Sequence, residues 1–131
     1  MTAFQTALGL LADRPVCPAR ADLKLYVGGV HRALGSLGEA ELAFRSAQSD
    51  YSFLEMSGQV AYTHLVIAET LLEMRREREA EWEILAALPA IDEIQMVPEA
   101  LAAASLLRES VHRRQTDPKA LQALRGHLQA S

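Results

Sequence analysis

Glu109 and His112 are three positions apart, a spacing that puts a carboxylate and an imidazole on one face of a helix, as helical di-iron sites require. Such a site needs a second copy of the motif and two more carboxylates from other helices, and no second copy occurs. The pair therefore reads as a surface glutamate and histidine, and no metal is expected. His31, His64 and His127 fall at scattered helical phases and read as ordinary packed or surface histidines. Cys17, between Pro15 and Pro18, is either a reactive thiol or a bystander in a loop. As the only cysteine it cannot form an intramolecular disulfide, which favours a reducing compartment. No serine sits in a nucleophile elbow, and no glycine-rich loop carries the lysine of a phosphate-binding motif. These residues name no reaction, no catalytic group and no cofactor, so a chain that is not an enzyme is expected.

The elements that would hold any site are set by bulk composition and periodicity. The chain has 131 residues, half of them hydrophobic, with a formal charge of −4. That describes one ordinary soluble domain, large enough to fold without disulfide or metal. It is not basic enough to suggest nucleic acid. The longest apolar run, Leu101 to Leu107 with one serine, falls far short of the ~20 residues of a membrane crossing. The apolar patch Ala7 to Ala12 has no basic segment before it and no cleavage pattern after it, so a helix face is expected there and a cytoplasmic location for the protein. Charge is uneven: residues 69 to 99 carry a net of −6, and Arg108 to Arg125 a net of +3. Such blocks are solvated helix faces or attract a complementary partner.

Apolar residues recur at three and four throughout, as in Leu23, Tyr26, Val27, Val30 and Leu34, or Leu101, Ala104, Leu107 and Val111. No stretch alternates long enough for a strand, so the fold class is all-α. Breakers at Pro15 and Pro18, Gly35 and Gly38, Ser57-Gly58, Pro98 and Asp117-Pro118 divide the helices. Ser36 and Glu39 have capping-box spacing, which starts a helix near residue 37. Asp117 is placed to cap a helix whose first residue is Pro118, and Pro98 opens another. Pro89 lies inside a periodic stretch, where a kink or break is expected. Trp82 reads as a packing residue, with an exposed partner anchor as its other role.

A shift of 40 residues aligns Ala40, Ala80 and Ala120, then Phe44, Ile84 and Leu124, then Ala47 and Ala87 with His127. In the preceding helices Val27, Ile67 and Leu107 coincide, as do Tyr26, Val66 and Leu106. This predicts a repeated pair of antiparallel helices: first helices at 22–34, 59–74 and 99–114, second helices at 37–54, 77–96 and 118–130. Thr2 to Ala12 falls in phase with the second helices and lacks a partner. It is expected to be an extra amino-terminal helix, either an end cap or the sign that the chain is the carboxyl-terminal piece of a longer array.

The stretch Val27-Gly28, Gly35, Ala40, Phe44 and Ala47 resembles the tetratricopeptide repeat family, with its turn glycine, small crossing residue and large apolar position. The second unit keeps Ile67-Ala68, Ala80, Ile84 and Ala87 but has Arg75 in place of the turn glycine. The third keeps Ala120 and Leu124, with Arg108 and His127 where small residues belong. The period is 40 and not the family's 34, so the likeness is to a degenerate, tetratricopeptide-like array. Glu79-Ala80-Glu81-Trp82 and Leu106-Leu107-Arg108-Glu109-Ser110 also resemble the repeat-rich tails of bacterial regulatory proteins. The resemblance implies one domain over 1–131 with repeats at 19–57, 58–97 and 98–131 and the extra helix at 2–12, stacked as a right-handed α-solenoid. It further implies a scaffold that binds a peptide or partner protein on a concave face, at Leu25, Tyr26, Gly29 and Arg32, at Tyr62, Leu65, Glu69 and Glu73, and at Ser105, Glu109, His112 and Arg113. Glu69 and Glu73, one turn apart, would take a basic side chain or simply face solvent. Self-association as a homodimer, or docking onto a preceding domain, is the alternative, motivated by the unpaired helix. A helical-bundle metal enzyme is a third reading, carried only by Glu109 and His112. Gly28 and Gly29 inside a helix each cost about 1 kcal/mol against alanine, which close approach of a neighbouring helix would offset.

Overall fold

The computed structural model describes residues 15–92 and 98–130. The expected helix at 2–12, and the end of the helix expected to run to 96, lie outside the described residues. The described residues form six helices and no strand: α1 Pro18–Ala33, α2 Leu37–Phe53, α3 Ser57–Glu73, α4 Glu77–Asp92, α5 Pro98–His112 and α6 Pro118–Ala130.

Each boundary has a local cause. Pro18, Pro98 and Pro118 stand at the first helical position, where a missing amide proton is harmless. Asp117 caps α6 as its spacing predicts, its Oδ1 accepting from the amides of Lys119 at 2.9 Å and Ala120 at 3.2 Å. Ser36 does not use the capping box. Its side chain makes no cap bond, and its amide, which the box would offer to Glu39, donates instead to the His31 carbonyl at 2.9 Å, while Glu39 lies 3.3 Å from His31 Nδ1. Pro89 does not break its helix, which continues to Asp92.

Four helices close in the same way. After α1 the amide of Gly35 donates to Arg32 and that of Ser36 to His31, and the same two bonds follow α2, α3 and α5. This closure needs one residue in the left-handed region. Gly35 supplies it at φ 82°, and Glu55, Arg75 and Arg114 supply it at 57°, 60° and 56°. Arg75 thus adopts the conformation of the turn glycine that it replaces.

Adjacent helices pack against one another along the chain, and α6 also returns to pack against α3. That makes α3 the centre, and its composition fits: Ala61, Leu65, Val66, Ile67, Ala68 and Leu71 are buried around much of its circumference. The aligned columns share burial. Ala40, Ala80 and Ala120 are at most 5% exposed, and Phe44, Ile84 and Leu124 at most 2%. Tyr26, Val66 and Leu106 share a column too, but only Val66 is buried, being on the central helix.

Gly28 lies where α2 crosses α1. A Cβ placed there would stand 2.5 Å from Phe44 Cε1, whereas a Cβ on Gly29 meets nothing within 4 Å. Close approach therefore accounts for Gly28 alone. Trp82 is 66% exposed, a correction to its expected packing role. The buried stripe of α4 is Ala80, Glu83, Ile84, Ala87, Leu88 and Ile91, and residue 82 falls off that phase.

Candidate functional site

Among the described residues, helices α1, α3 and α6 flank a groove. Its larger hollow, about 620 Å³, is lined by Asp22, Leu25, Tyr26, Gly29, Val30 and Ala33 of α1, by Tyr51 of α2, by Gln59 and Tyr62 of α3, and by Leu128 and Gln129 of α6. A second hollow of about 450 Å³ shares Leu25, Gly29, Ala33 and Tyr62, and adds Arg32, Phe44, Val66, Glu73 and Arg125. The shared residues make the two one continuous cleft. Its walls are mostly apolar and aromatic, with polar groups at the margins, which is the usual make-up of a binding site.

The charges at the Arg32 end neutralise one another. Arg32 Nε donates to Glu73 Oε1 at 2.7 Å, and its Nη2 lies 3.6 Å from Glu69 Oε2. Arg125 of α6 pairs with Glu69 through its Nε. Glu69 and Glu73 thus already have two arginines, one from each neighbouring wall. Arg108 Nη2 likewise bonds Asp92 Oδ1 at 2.9 Å, joining α5 to α4. Basic carboxyl-terminal residues therefore meet acidic central ones within the chain.

At the other end Tyr51, fully buried, donates its hydroxyl to Asp22 Oδ1 at 2.5 Å. Burial, then the bond to Asp22, raises the Tyr51 pKa well above the ordinary phenol value. Asp50 beside it is occupied by Arg20 Nε and Lys24 Nζ, each 3.0 Å away.

The expected site residues separate. Tyr26, Arg32, Tyr62 and Glu73 line the cleft together, with Leu25 and Gly29. Glu69 does not line it and is held in the ion pairs described above. Leu65 is 0% exposed, a correction: it holds the core and has no surface to offer a partner. Glu109 and Arg113 lie elsewhere, in a smaller hollow beside the start of α6, where they pair with each other. Among the described residues no three His, Cys, Asp or Glu side chains gather into a group that could hold a metal.

No family model, curated protein or solved structure matches this chain.

Sequence reasoning missed Asp22, Tyr51, Gln59, Leu128, Gln129 and Arg125 as cleft residues. Complementary charge was the available signal for Arg125. Leu128 and Gln129 depend on α6 folding back onto α3, which no local pattern announces, and Asp22, Tyr51 and Gln59 lie on α1, α2 and α3 outside the positions the resemblance assigned to the groove. It also missed a polar network on α2, α3 and α4. Glu83, 2% exposed, accepts from Arg45 Nη1 at 2.9 Å and lies 2.7 Å from His64 Nδ1. Arg45 and Arg76 both hold Glu41, each at 2.9 Å. Burial opposes ionisation of Glu83, but the bonds and charges of His64 and Arg45 outweigh it and hold its pKa below the usual carboxylate value. Phase was the signal here too, since of the four glutamates 77, 79, 81 and 83 only the last falls on the buried stripe.

Proposed function

We propose that the chain is a non-catalytic protein–protein interaction module that binds a segment of a partner protein in the cleft between α1, α3 and α6. The observation that carries this reading is the cleft itself: an open, mostly apolar trough edged by Tyr26, Tyr62, Gln59 and Gln129. Rigid helices supply its walls, as recognition grooves require. The finer architecture belongs to the same proposal. The shared burial of columns 40 residues apart, and the common turn closures, support a tetratricopeptide-like stack of helix pairs. The return of α6 to α3 departs from strictly serial stacking. A cytoplasmic, reducing setting fits the one free cysteine, Cys17.

The test is selection of random dodecapeptides on the immobilised chain, followed by amide-resonance mapping of the selected sequences. Shifts are expected at Tyr26, Gly29 and Tyr62. Gly29→Trp, which adds bulk to the cleft where a Cβ meets nothing, should abolish binding without unfolding the chain. Selected peptides that bind Gly29→Trp as well as the parent would refute the assignment.

Self-association is a second reading, favoured by Trp82 and Leu85, which are exposed one turn apart on α4. Sedimentation velocity over a wide concentration range tests it. A concentration-dependent dimer that Trp82→Ala dissolves supports it, and a monomer at every concentration excludes it.

A further inference from the structure

Among the described residues, the second end of the cleft carries a charge without a counter-ion. Asp22 is exposed and lines the larger hollow. Its Oδ1 takes the Tyr51 hydroxyl, and among the described residues no cation bonds it. Among the described residues no lysine, arginine or histidine lines that hollow, and two tyrosines with accessible surface do, Tyr26 and Tyr62. Elsewhere in the same region charge is matched. Asp50 has Arg20 and Lys24, and Glu69 and Glu73 have Arg32 and Arg125. Among these residues the cleft has a neutralised end and a negative end, and Tyr26, one turn from Asp22 on α1, brings to the negative end an aromatic ring, a group that attracts cations.

Resting on the groove reading above, we infer that the occupant is an extended partner segment bearing one lysine or arginine among apolar residues, with its cation seated at Asp22. Length agrees with a polypeptide. From Asp22 to Ala33 the cleft follows eleven residue steps of α1, about 16 Å at 1.5 Å per residue. That accommodates about five extended residues at ~3.3 Å each. Leu25, Val30, Ala33 and Leu128 supply apolar contact along the way, and Gln59 and Gln129 supply amide groups able to meet a peptide backbone.

The experiment uses three acetylated, amidated heptapeptides of alanine and leucine that differ only at the central position: lysine, norleucine or glutamate. Each is titrated into the full chain and followed by amide-resonance shifts. The lysine peptide should bind roughly tenfold more tightly than the norleucine twin, the scale of a charge-assisted contact at an exposed carboxylate. The glutamate peptide should bind least, and the lysine advantage should shrink with added salt. Asp22→Asn keeps an acceptor for Tyr51 and removes the charge, so it should erase the preference while leaving the norleucine affinity unchanged. Equal binding of lysine and norleucine peptides in the cleft overturns the cation inference and leaves the groove reading standing. If none of the three shifts Tyr26, Gly29 or Tyr62, both fall.

Discussion

Gly28 and Gly29 are neighbours in one helix and should respond differently to the same substitution. Replacing either by alanine gains about 1 kcal/mol of helix propensity. At Gly29 nothing opposes that gain, because a new Cβ meets no atom within 4 Å, so Gly29→Ala should stabilise by about that amount. At Gly28 the Cβ would stand 2.5 Å from Cε1 and 2.6 Å from Cδ1 of Phe44. The Phe44 ring is 2% exposed and belongs to the core that includes Ala40, Ala61 and Leu65, so it has little room to retreat. Overpacking of this kind costs about 1–3 kcal/mol. The propensity gain is common to both variants, so the difference between them isolates the clash at about 1–3 kcal/mol. At this chain length that is a separation of roughly 3–15 °C in Tm. Urea and thermal unfolding followed by circular dichroism would measure it. Equal stabilisation by both substitutions would show that α1 and α2 do not cross at Gly28, and with it the packing of the first pair would be lost.

Other outcomes follow from single features. Arg75→Gly relieves a left-handed residue whose conformation costs about 1–2 kcal/mol outside glycine, so chemical denaturation should show a gain of about 0.5–1 kcal/mol, and Gly35→Ala a loss of about 1 kcal/mol. Glu83 has a lowered folded-state pKa. Its contribution is therefore complete above the ordinary carboxylate pKa and is lost as pH falls through the lowered folded value. Glu83→Gln should cost about 1–3 kcal/mol at neutral pH, less than a wholly buried pair because Arg45 is partly exposed. It should also flatten the acid limb of the stability profile; an unchanged acid limb would contradict the network. Trp82 should be readily quenched by acrylamide, and Trp82→Ala should leave stability within about 0.5 kcal/mol. A blue-shifted, unquenched emission would place it in an interface.

The helices were legible because their ends are chemically marked. Pro18, Pro98 and Asp117-Pro118 announce starts, and Gly35 announces a stop. The links at 54–56 and 74–76 carry no glycine, yet Glu55 and Arg75 stand 20 residues apart in the place of Gly35. The 40-residue period pointed to Arg75 but not to Glu55, and residue type marked neither, since the hydrogen bonds of the closure hold the strained residue. Tyr26, Arg32 and Tyr62 were indicated by the resemblance to tetratricopeptide repeats, and they line the cleft. Leu65 was misplaced because α3 is covered on several sides by α2, α4 and α6, and a one-sided amphipathic template does not describe such a helix. Trp82 was misread from its size, while the phase of Ala80, Glu83 and Ile84 already put it outside. Gln129 was beyond reach because it joins the cleft only through the return of α6 to α3, whereas Asp22 and Tyr51 meet across the first helix pair at positions the resemblance did not assign to the groove.

The return of α6 to α3 also sets an order of events during synthesis. At ~5–20 residues per second, the 56 residues from Glu73 at the end of α3 to Gln129 take roughly 3–11 s to make. Through that interval α3 exists without one of its coverings, and the cleft has no third wall. Leu128 and Gln129 complete the wall, and Arg125 latches it to Glu69. The third wall of the cleft therefore forms only late, after the scaffold that precedes α6 has been made.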